Sequence, residues 1–211
     1  MIERLYNIRR PSNKVFTVQQ KTIHLLLVVI LGVILGVLAK YADGSTLVII
    51  GTEIAFWVLV TTLIAVYSRS PLAAALHTFA FLGTLLVAYY FVFNMWFGFF
   101  PKSYFIAWGI IALLSPIGGF AVWFSKGEGW LSAFCASVPI SVLLVKGTFF
   151  FRAISVPVED LIIPTAFELL AAVLLFILLP PSNYQRLRVI PLVVILYYVI
   201  KSYGLLGYLP A

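Results

Sequence analysis

Three ionisable side chains stand inside otherwise apolar runs: Lys146 in LLVKGTFFFR, Glu53 in IIGTEIAFW and Glu168 in PTAFELLAA. A charge at membrane depth costs roughly 2.5 to 3.5 kcal/mol on insertion scales, so each of these groups must be paired, reach water or face a cavity. Two carboxylates and an amine in one low-dielectric cavity can hold a zwitterionic or polar solute through charge-assisted hydrogen bonds.

That chemistry needs helices to position it. The chain has 211 residues, of which 63% are hydrophobic and only 10% charged, and its mean hydropathy is +1.11. Soluble domains carry about 25% charged residues, so the composition is that of an integral membrane protein. Seven apolar segments are expected near 22–39, 46–67, 72–97, 104–124, 130–151, 164–180 and 189–209. The expected fold is an all-α polytopic bundle of six to seven spans in the cell membrane, the last segment being either a full span or a tilted interfacial helix. A basic segment, 1–21, precedes a single transmembrane domain, 22–211, and no small-residue cleavage site follows the first apolar run.

Alternating the connectors across the bilayer sorts the charge. With the N-terminus cytoplasmic, that side holds Arg4, Arg9, Arg10, Lys14, Lys21, Arg69, Lys126, Arg186 and Arg188 against Glu3 and Glu128. The other side holds five basic and five acidic residues. The net charge of +7 is therefore a positive-inside signal suited to anionic lipid, and no nucleic-acid partner is implied.

A rise of about 1.5 Å per residue converts position into depth. Lys146 falls roughly 24 Å from the cytoplasmic start of its helix, while Glu53 and Glu168 fall roughly 10 Å and 6 Å below the outer boundary. These three converge in the outer leaflet, with Lys40, Asp43 and Arg152 near the mouth and Asn94 within reach of a cavity there. Snorkelling of Lys146 and a purely structural charge pair remain open beside the solute-site reading. Pro139 is expected to interrupt the fifth span by freeing the Cys135 carbonyl, with Ser137 and Ser141 available to satisfy it.

Gly32 and Gly36 form a GxxxG stripe on the first span, suited to close approach by another helix, either within the bundle or from a partner subunit. The single cysteine excludes an intramolecular disulfide framework. HExxH, GxSxG, P-loop and CxxC motifs are all missing, so no catalytic residue, metal site or cofactor is expected.

Small size, a cytoplasmic N-terminus, the Gly32/Gly36 stripe and polar groups gathered at the outer end together resemble the membrane-embedded substrate-binding (S) components of energy-coupling-factor transporters. The resemblance covers the chain in architecture and only these residues in motif. It implies a solute-binding subunit whose first helix meets a coupling subunit. The stripe of that family is usually alanine-based and its spans usually six, whereas this chain has glycine and a seventh segment. The sequence also resembles small multi-span bacterial membrane proteins of unassigned role. The leading expectation is thus a non-enzymatic protein with an outward-facing polar cavity binding a small solute through Glu53, Lys146, Glu168, Lys40, Asp43, Arg152 and Asn94. The alternatives are an interaction or immunity protein with structural charges, and an intramembrane enzyme acting on lipid or peptide.

Overall fold

Capping residues set several helix boundaries in a chain that is apolar nearly throughout. In the computed structural model, which describes residues 7–11, 16–43, 54–149 and 158–208, helix α1 spans Val18–Ala42. It opens on a reciprocal capping box, with Gln20 N donating to Thr17 Oγ1 (3.3 Å) and Thr17 N to Gln20 Oε1 (3.1 Å). This box starts the helix four residues ahead of the expected 22. Helix α2 follows at Ile54–Tyr67. Helix α3, Pro71–Phe97, has Ser70 as its N-cap, proline at its first position and Gly98 at φ 68° as its left-handed terminator.

Helix α4, Lys102–Trp123, runs into a 3-10 turn at Phe124–Lys126, and α5 spans Trp130–Phe149. Helix α6, Val158–Leu178, starts ahead of the expected 164 and takes Pro164 into its interior. Helix α7, Asn183–Ser202, is capped by Ser182, whose hydroxyl accepts from Gln185 N at 3.2 Å. That cap draws Arg186 and Arg188 into the helix, and the chain then turns through a 3-10 segment, Leu205–Tyr208.

Four of these stretches are long and apolar enough to cross a membrane: Val18–Ala42, Pro71–Phe97, Lys102–Lys126 and Trp130–Thr148. Ile54–Tyr67 and Ile162–Leu178 are shorter apolar helices. The surface agrees with lipid as solvent, because Ile117 (71% exposed) and Leu170 (69%) face outward while Ser132, Ser137, Ser141 and Thr78 are fully buried. A water-soluble fold places these residue types the other way round.

The bundle is built around α2. On one side α1 packs on α3 and α3 on α4; on the other α5 packs against both α6 and α7, and α2 touches both groups. Small residues allow these approaches. A Cβ at Gly32 would collide with Thr84 Oγ1 and lie 2.7 Å from the Phe81 carbonyl, and one at Gly36 would collide with the Leu85 carbonyl. Of the two occupants expected for the stripe, a helix of the bundle or one of a partner subunit, α3 of the same chain fills the face around Gly32 and Gly36, so these glycines are not open as a partner interface. Gly119 does the same for α4, where a Cβ would strike Thr78 Oγ1.

A hydroxyl group repairs the backbone at Pro116 but not at Pro139. Pro116 has no N–H for the Ala112 carbonyl, and Ser115 Oγ donates to that carbonyl at 2.7 Å. At Pro139 the expected repair is not made by the serines. Ser137 donates to Phe134 O (2.8 Å) and Ser141 to Val193 O (3.2 Å), so each hydroxyl proton is committed, and Ser141 ties α5 to α7.

Candidate functional site

A cavity of about 750 Å³ lies between α2, α3, α4 and α5. Each helix contributes one face. On α2 it is Ile54, Trp57, Val58, Thr61, Thr62 and Ala65; on α4 Tyr104, Trp108, Ser115, Gly118, Gly119 and Val122. Tyr89, Tyr90 and Phe93 of α3 and Pro139, Val142 and Lys146 of α5 also line it. From Tyr104 to Val122 the α4 face extends roughly 27 Å, most of a bilayer core. Gly119 brings α4 against α3, whereas a Cβ at Gly118 would meet nothing within 4 Å. One glycine of the pair sets the approach and its neighbour leaves volume.

The wall is largely apolar and aromatic, so the cavity differs from the polar site anticipated and is not confined to the end that holds Lys146. Lys146 lines it from the last turn of α5, where the negative end of the helix dipole favours a cation. Glu168 is 4% exposed on the adjoining α6, its Cβ 3.3 Å from the position a Gly147 Cβ would take. The structure therefore brings Lys146 and Glu168 to neighbouring turns of two packed helices. Glu53 and Arg152 lie outside the described residues.

Lys40 and Asp43 do not line the cavity; they occupy each other behind its wall. Lys40 Nζ is 2.7 Å from Asp43 Oδ2 and lies over the rings of Phe93, Phe97 and Tyr89 at 4.7, 5.1 and 5.3 Å. Asp43 Oδ2 also accepts from Tyr89 OH at 2.6 Å, which connects the ion pair to a cavity-lining ring. Asn94 is exposed in the last turn of α3 and is absent from the lining; its carbonyl takes the Gly98 N–H at 3.0 Å. Among the described residues no three His, Cys, Asp or Glu side chains gather to hold a metal ion. His77 Nδ1 lies 2.9 Å from Ser68 Oγ.

The opposite end of the bundle is basic and its helix termini are capped by arginine. Arg9 donates to Val66 O at 3.0 Å and to Trp123 O, and its guanidinium lies 4.1 Å from the centre of the Trp123 ring. Burial lowers the Arg9 pKa to about 10, which leaves it charged at neutral pH. Arg186 reaches Ile177 O at 3.2 Å near the end of α6. Gln185, 2% exposed, clamps Gly129 by donating to its carbonyl (2.7 Å) and accepting from its N–H (3.2 Å). Sequence reading missed this clamp, because one glutamine in a polar connector carries no periodic signal.

A sequence family described as a family of unknown function (DUF6518) matches residues 17–209, and the chain belongs to that family. No curated protein matches the chain. No solved structure matches it either.

Proposed function

We propose that this member of a family of unknown function is a multi-pass protein of the cell membrane that holds a small amphipathic molecule in the cavity between α2, α3, α4 and α5, as the binding part of a transporter. The observation that carries this reading is the cavity itself. Its volume of about 750 Å³ falls within the range of roughly 300 to 1,000 Å³ typical of ligand sites, which are likewise mostly apolar and aromatic with a few placed polar groups. Trp57, Trp108 and Tyr104 suit a flat or chain-like apolar body, and Lys146 suits an anionic or polar group at one end. Six or seven crossings with a cytoplasmic N-terminus complete the proposal. Arg9, Arg69, Lys126, Arg186 and Arg188 belong to the end where α2, α4 and α6 finish, which supports that orientation.

Native mass spectrometry of protein released from its own membranes tests the reading. The wild type is expected to carry a non-covalently bound small molecule. Gly118→Phe, which puts a ring into open space, is expected to lose it while retaining helix content and melting temperature within a few degrees. Lys146→Met is expected to weaken retention at least tenfold if the bound group is anionic. A wild type with an empty cavity, or a Gly118→Phe variant with undiminished occupancy, overturns the proposal.

A further inference from the structure

The cluster formed by Ala65, Ala74, Trp123, Phe124 and Cys135 lies at the basic end of the bundle. Two residues connect it to the cavity: Ala65 belongs to both, and Val122 packs on the cluster while lining the cavity. Ile8 packs on the same cluster and belongs to the short N-terminal segment described at residues 7–11. Among the described residues this segment is fastened to the end of the bundle at few points. Ile8 O accepts from Glu128 N at 3.2 Å, and a Cβ at Gly127 would collide with the Ile8 carbonyl. Arg9 then reaches a carbonyl on each of α2 and α4.

Both of those carbonyls are in the last turns of their helices, where the helix dipoles are negative and a cationic donor is favoured. A planar guanidinium with several donors can serve two helix ends at once, which an ammonium cannot do with comparable geometry. Trp123, the ring beneath the guanidinium, is itself fixed by Nε1 donating to Ser68 O at 2.7 Å.

We propose that residues 7–11 are a displaceable strap that closes the basic end of the bundle over Cys135 and the adjoining end of the cavity, with Arg9 as its clasp. Among the described residues the helices are held by extended side-chain packing, whereas the strap is held by a few hydrogen bonds, one stacked ring and one aliphatic side chain. Segments with so few contacts open at lower free energy than the whole fold. Opening would leave two carbonyls facing water, a tolerable state at a helix end, and would uncover a path from that side toward Ala65 and Val122. The strap rests on the ligand-cavity reading only for what the opening admits.

Cys135, the one cysteine of the chain and 7% exposed, reports the opening directly. The test is its modification rate by a water-soluble maleimide in the intact protein in nanodiscs. Arg9→Ala is expected to react at least tenfold faster than wild type, and Arg9→Lys at an intermediate rate. Gly36→Ala, placed far from the strap and compared where its melting temperature matches that of Arg9→Ala, is expected to react slowly. An unchanged rate in Arg9→Ala, or equal acceleration in the matched Gly36→Ala control, overturns the strap. Since the readout involves no ligand, it succeeds or fails independently of what mass spectrometry finds in the cavity.

Discussion

Replacement of Gly36 by leucine is expected to cost about 3 kcal/mol or more and to leave little stably folded protein in mild detergent. The magnitude follows from what the new side chain meets. At Gly36 the first carbon already collides with the Leu85 carbonyl oxygen and falls 3.0 Å from Ala88 Cβ. Neither neighbour is a flexible side-chain tip that can swing aside. The α1–α3 contact must widen by several tenths of an ångström before the rest of a leucine is accommodated, and a contact between membrane helices depends on close van der Waals packing. Gly118→Leu is the matching control, since it adds the same side chain where a Cβ meets nothing. Thermal unfolding followed by circular dichroism should separate the two by at least about six degrees. Equal melting temperatures would refute the assigned α1–α3 packing.

The Gly32/Gly36 spacing was legible because small-xxx-small is a local pattern, but its partner was not. A stripe states that something approaches closely, and only the fold identifies that neighbour as α3. The charges show a similar limit. Counting residues along a helix gives an expected depth, which grouped Lys40, Asp43, Lys146 and Glu168 together. It gives no azimuth about the helix axis. Lys40 and Asp43 therefore could not be separated in advance from Lys146, although the structure seals the former pair behind Tyr89 and exposes the latter to the cavity.

The cavity wall was present as a helical repeat. Positions 104, 108, 111, 115, 118 and 122 on α4, and 54, 57, 58, 61, 62 and 65 on α2, each follow one face. An aromatic and small-residue stripe in a membrane helix reads equally as core, and no single-chain pattern tells a filled interface from an empty one. Helix starts shifted where a cap outweighed hydropathy, as at Thr17 and Ser182. Lys146 is the clearest case of partial legibility. Counting placed it far along its helix, and its location in the last turn of α5 supplies an electrostatic reason a cation is tolerated there.

Removal of the Asp43 carboxylate is the second large effect. Asp43→Ala leaves the Lys40 ammonium, whose side chain is 6% exposed, without the oxygen 2.7 Å away. Breaking a buried pair from one side costs roughly 3 to 5 kcal/mol. Three aromatic faces at 4.7 to 5.3 Å return part of that, on the order of 1 kcal/mol. The net expectation is a loss of about 3 kcal/mol, or roughly 6 to 12 °C in melting temperature for a chain of this size. The double variant Lys40→Met/Asp43→Asn removes both charges, keeps an acceptor for Tyr89 OH and fills the aromatic recess with an apolar side chain. It is expected to recover most of the loss, since exchanging a whole buried pair for apolar packing is often near neutral. A single variant no less stable than the double would show the pair to be solvent-screened. Tyr89 extends the consequence to function. Its hydroxyl is held by Asp43 and its ring lines the cavity, so Asp43→Ala should also reduce ligand retention, whereas the double variant should restore retention together with stability.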